Sequence, residues 1–81
     1  MTTKEEISRW FDIGVQKNAT YMIVVCDTFD WEDYPVYITQ EQNVHDIYKM
    51  YNNENMQKVM EVYNLNMDKE FQLNQQRAFN F

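Results

Sequence analysis

The sequence predicts an α+β domain: a small three-stranded antiparallel sheet with helices packed on it, in the order α-β-β-α-β-α. Three observations predict it. Ile7, Trp10, Phe11 and Val15 keep helical spacing, and so do Val44, Ile47, Tyr48 and Tyr51. Between these segments, Tyr21-Met22-Ile23-Val24-Val25-Cys26 is an unbroken apolar and β-branched run, the pattern of a central strand covered on both faces. The chain has 81 residues with one Pro and one Gly, which leaves room for a single domain, residues 1–81, with short connections.

The first helix opens on Thr3-Lys4-Glu5-Glu6, a capping box in which Thr3 caps the first amides and Glu6 reaches back. Gly14 lies on its apolar face. A mid-helix Gly costs ~1 kcal/mol relative to Ala, so close packing against a neighbour is expected there. Asn18 is the left-handed stop. After the central strand, Pro35 opens a second short strand, Val36-Tyr37-Ile38-Thr39, because Pro is tolerated at a strand's first residue. The two strands form a hairpin with a connection longer than the two-residue type. Asn43 caps the second helix, and Asn52-Asn53-Glu54-Asn55 ends it.

Residues 56–65 fit two readings. Met56, Val59, Met60 and Tyr63 suit a helix, while Val59 to Leu65 is rich in strand formers. A strand is expected, since a third strand completes a sheet that a lone hairpin would not stabilise. Asn66 then caps a last helix through Met67, Phe71, Ala78 and Phe79. Met22, Met50, Met56, Met60 and Met67 are expected to fill the core.

Charge is distributed unevenly. No Lys or Arg occurs between Asn18 and Tyr48, a stretch that carries Asp27, Asp30, Glu32, Asp33, Glu41 and Asp46. With thirteen acids and seven bases in the chain, the formal −6 belongs to this segment. Such a balance disfavours anionic membranes and phosphate-held nucleic acid, and favours a basic protein surface as partner. Cys26 is the only cysteine, so an internal disulfide is impossible. With no apolar segment of signal-peptide or membrane-spanning type, a cytoplasmic location is expected.

The candidate site is the acidic-aromatic connection: Asp27, Phe29, Asp30, Trp31, Glu32, Asp33 and Tyr34. Aromatic residues supply buried area at an interface and charges supply orientation. The bland alternative is a solvated turn, with Phe29 and Tyr34 folded back on the core. Calcium binding is not expected: Asp27, Asp30, Glu32 and Asp33 lack the alternating ligands, central Gly and terminal Glu of an EF-hand. No metal or cofactor is expected elsewhere. Cys26 with His45 as base and Asp27 as orienter matches no catalytic signature, and an apolar strand weakens a thiol nucleophile. Asp27 and Asp30 as a hydrolytic pair lack a second cluster, and one Gly excludes phosphate-cradling loops. A non-enzymatic protein is therefore expected.

The block from Ala19 to Tyr37, with Cys26-Asp27-Thr28-Phe29-Asp30-Trp31-Glu32-Asp33-Tyr34-Pro35 at its centre, resembles a family of small proteins of unknown function in bacteria and their phages. Asn55 to Tyr63 and Arg77-Ala78-Phe79 share the resemblance. It brings no catalytic residues. It implies a setting, a phage or mobile-element accessory gene, in which small acidic proteins bind and disable a host or defence protein.

The leading expectation is thus a binding protein that docks its hairpin on a basic site of a host macromolecule. Full duplex mimicry is not expected, because DNA presents a charge every ~1.7 Å. The rival is an oligomeric sponge with pockets lined by Tyr21, Trp31, Tyr37 and Tyr51, holding a nucleotide-like ligand with help from Arg9, Lys49 and Arg77. A third reading is a structural subunit whose loop is only a turn. For the tail, Arg77-Ala78-Phe79-Asn80-Phe81, docking on the domain and contact with a second copy are equal alternatives. An open strand edge would allow a six-stranded dimer sheet.

Overall fold

A computed structural model describes residues 3–52, 56–75 and 78–80. Its elements are α1 (Lys4–Gln16), β1 (Tyr21–Asp27), β2 (Glu32–Ile38), α2 (Val44–Tyr51), β3 (Gln57–Asn64) and α3 (Lys69–Leu73), the predicted order. The sheet is antiparallel with strand order β2-β1-β3, so the apolar run of β1 is central, as its composition requires.

Alternation along β1 divides the core in two. Met22 and Val24 face α1 and α3, where they meet Ile7, Phe11, Tyr63, Leu65, Leu73 and Ala78. Ile23 and Val25 face the other way, towards α2, with Ile38, Val44, Val59 and Val62. Val24 pairs with Glu61 and Val25 with Val59, so Met60 is the extra residue of a β-bulge.

Local chemistry sets the helix ends. Thr3 Oγ1 accepts from the Glu6 amide at 3.2 Å. At the other end of α1, Asn18 sits at φ 60, and the amides of Asn18 and Ala19 close on the carbonyls of Val15 and Gly14, a Schellman motif. Gly14 is buried where a Cβ would lie 2.8 Å from Leu65 Cδ1 and 2.8 Å from Tyr37 Cε1, the close approach expected of it. Asn43 caps α2 as expected, its Oδ1 accepting from the His45 and Asp46 amides. Residues 53–55, expected to complete the end of α2, lie outside the described residues.

Several expectations are corrected. β2 begins at Glu32, and Pro35 stands in mid-strand opposite Val24; an edge strand tolerates the lost amide donor. Val15 is 48% exposed, because it falls on the flank of α1 rather than its packed face. Met22 is buried and Met60 packs on the core, but Met50, Met56 and Met67 are exposed. The last helix is capped by Asp68, not Asn66, and spans only Lys69–Leu73. Ala78 and Phe79 lie beyond it: the chain turns back, and the Ala78 carbonyl and Asn80 amide bond Val62 on the outer edge of β3.

Gln72 ties the short helix to the edge of β3. It is fully buried, and its amide works as a substitute peptide group on the same edge. Oε1 accepts from the Asn64 amide at 2.7 Å and from Asn80 Nδ2 at 3.0 Å; Nε2 donates to the carbonyls of Asn64 and Asp68. Gln72 and the tail thereby satisfy β3 where a fourth strand would otherwise pair.

Candidate functional site

The candidate residues fall at the end of the sheet remote from the α1 C-terminus. The connection between β1 and β2 is the four residues Thr28 to Trp31. Asp27 organises it. Its Oδ1 accepts from the Phe29 amide at 2.8 Å and the Asp30 amide at 3.4 Å, and its carbonyl accepts from the Trp31 amide at 2.6 Å. Thr28 anchors the loop to the residue that leads into β3, since both its amide and its hydroxyl donate to the Met56 carbonyl, at 2.7 and 2.8 Å.

The tip is therefore held, and its large side chains point outward. Phe29 is 73% exposed and Trp31 72%. Trp31 and Met56 also lie in the left-handed region, at φ 58 and φ 61. Asp30 and Glu32 are exposed beside them. Asp33, one residue into β2, faces the α1 side of the sheet with Cys26 as its partner across the ladder. Tyr34 faces the α2 side: it is half-buried, packs on the core there and accepts a hydrogen bond from Gln57 Nε2.

Trp31, Phe29, Asp30 and Glu32 thus make one exposed acidic-aromatic end, with half-buried Asp33 beside it. Asp27 contributes chiefly as the turn former and Tyr34 as a core residue. Phe29 does not fold back; Tyr34 does.

Beside Trp31 the structure adds a feature that the sequence does not reveal. A largely apolar groove of about 360 Å³ is lined by Cys26, Thr28, Trp31, Asp33, Lys58 and Met60. Asp33, Cys26 and Lys58 form one row across the three strands, and Met60, two residues along β3 from Lys58, lines the groove with them. Only the register brings these residues together: Lys58 and Met60 are some thirty positions from Cys26, and no local pattern joins them. Burial, then the hydrogen bond to Asp33 and its charge, hold the Cys26 thiol above its ordinary pKa, the opposite of nucleophile activation. His45 lies on α2, across the sheet from Cys26.

Among the described residues no group of three His, Cys, Asp or Glu side chains is placed to hold a metal ion. Tyr21 and Tyr51 pack on the α2 side, whereas Tyr37 packs on the α1 side and donates its hydroxyl to the Trp10 carbonyl. With Trp31 at the tip, these four aromatics do not converge within one chain. Arg77 lies outside the described residues. A depression of about 240 Å³ at the opposite end of the sheet, by Asn18, Thr20, Gln40 and Asn66, offers neither aromatic nor charged groups.

No described helix is long and apolar enough to cross a membrane. Comparison with protein-family models, curated proteins and solved structures finds no match to the chain.

Proposed function

We propose that this chain is a non-enzymatic binding protein that docks its acidic-aromatic hairpin on a basic site of a host or defence protein. One observation carries the reading: Trp31 is 72% exposed and held at φ 58. A large apolar side chain in water and a non-glycine left-handed backbone each cost free energy in the isolated chain. A partner that buries the indole offsets that cost, and Trp is the residue that contributes most at interface centres. The neighbouring Asp30, Glu32 and Asp33 supply orientation and fast encounter with a basic surface, and they repel phosphate. The setting we propose, a phage or mobile-element accessory that disables its target inside the host cell, rests on the sequence resemblance.

The test is affinity capture from host lysate with the wild-type chain, Trp31→Ala and Asp30→Lys/Glu32→Lys, with captured proteins identified by mass spectrometry. The reading expects a protein retained by wild type and lost from Trp31→Ala, with weaker loss from the charge variant. Retention should also fall between ~50 mM and ~500 mM salt, where exposed charges become screened. Equal capture by all three chains, or indifference to salt, contradicts it.

A further inference from the structure

We infer that the groove beside Trp31 receives one large apolar side chain of the partner, adjacent in that partner's sequence to an Arg or Lys that lies over the acidic end of the hairpin. This rests on the reading of the hairpin as a docking element and adds the local chemistry of what it docks on.

The groove exists because the helices leave this part of the sheet bare. Its lining is Cys26, Thr28, Trp31, Asp33, Lys58 and Met60, all from strands and the hairpin, with no helix residue. At about 360 Å³ it is at the small end of ligand pockets, which run ~300–1,000 Å³, so it suits a side chain better than a cofactor. The Met60 thioether, the Cys26 sulfur and the Trp31 ring offer soft, polarisable walls that accept aliphatic or aromatic groups. The Trp31 face also accepts a guanidinium.

Charge selects among occupants. Asp33 and Lys58 stand at opposite ends of one row with Cys26 between them, two inter-strand steps or ~10 Å apart. Exposed Asp30 and Glu32 make the hairpin end strongly negative. A second copy seated here about a two-fold axis would set these acids against their own counterparts, which is repulsive. A basic-apolar segment instead places its cation over the hairpin and its apolar side chain on Met60, with a backbone carbonyl towards Lys58.

The test is an NMR titration of the full chain with three capped peptides, Arg-Leu-Arg, Arg-Ser-Arg and Glu-Leu-Glu. Saturable shifts at the Met60 methyl, the Trp31 indole and the Cys26 amide are expected with Arg-Leu-Arg. The other two should bind roughly tenfold more weakly, the worth of one largely buried leucine or of reversed charge. If Arg-Ser-Arg matches Arg-Leu-Arg with shifts confined to Asp30 and Glu32, the groove assignment fails while the docking hairpin stands. If Glu-Leu-Glu matches it, the basic character of the partner fails with it. Absence of saturable shifts from all three overturns the groove assignment, and lysate capture then decides the broader reading separately.

Discussion

A tryptophan held at φ 58 costs about 1–2 kcal/mol more than an L-residue in right-handed backbone, a cost that glycine does not bear. Trp31→Gly should therefore be at least as stable as wild type in chemical denaturation, and Trp31→Ala should fall below Trp31→Gly by about 1 kcal/mol. Gln72 has the opposite character, fully buried and committed through both ends of its amide. Gln72→Glu would set a carboxylate oxygen against the Asn64 and Asp68 carbonyls, and a loss of about 3 kcal/mol is expected from the denaturation midpoint. These two residues mark the limit of what pattern reading reaches. The acids and aromatics of the hairpin announce a site, but the left-handed backbone at Trp31 follows from a four-residue loop that composition does not specify. Gln72 is invisible to hydrophobic periodicity because its burial depends on hydrogen bonds to an edge that only the folded sheet creates.

At the level of elements, α1 was legible because its cap, face and stop are all local. Gly14→Ala tests the packing that its burial implies. Helix propensity gains ~1 kcal/mol, but the new methyl meets Leu65 and a Tyr37 ring fixed by its bond to the Trp10 carbonyl, and overpacking costs ~1–3 kcal/mol. A net loss of about 1 kcal/mol is expected by thermal or chemical denaturation. The strand at 57–64 was legible by need, since the hairpin required a third partner. The start of β2 was not: Glu32 and Asp33 are poor strand formers, and pairing with Asp27 and Cys26 overrides that preference. Likewise Met67 and Phe71 carry helical spacing, yet they face solvent while α3 buries the next residues round, Gln72 and Leu73. A helix of five residues takes its orientation from its contacts rather than from its own periodicity.

Across the whole molecule, Cys26, Tyr34, Tyr37 and Tyr63 all titrate higher when folded, in each case chiefly because burial disfavours the anion. Unfolded, the thiol ionises near 9.0 and the phenols near 10.0. Below those values both states hold these protons and the groups add no slope. Above them the unfolded chain loses protons first, so stability should fall steadily as pH rises past 9, and Tyr63→Phe should flatten that fall. Denaturation midpoints measured from neutral to alkaline pH check this. The acids behind the −6 charge are divided by the fold: Asp27, Asp30, Glu32 and Asp33 lie at the hairpin end of the sheet, and Glu41 lies at the other end beside Lys17 and Asn18. On the proposed reading, Trp31 serves a partner at the expense of the isolated chain. Measuring Trp31→Gly twice, for denaturation midpoint and for capture of the lysate protein that wild type retains, checks this. A variant as stable as wild type, or more so, that no longer captures the protein is the predicted result. A variant that loses stability, or that captures the protein as well as wild type, contradicts the account.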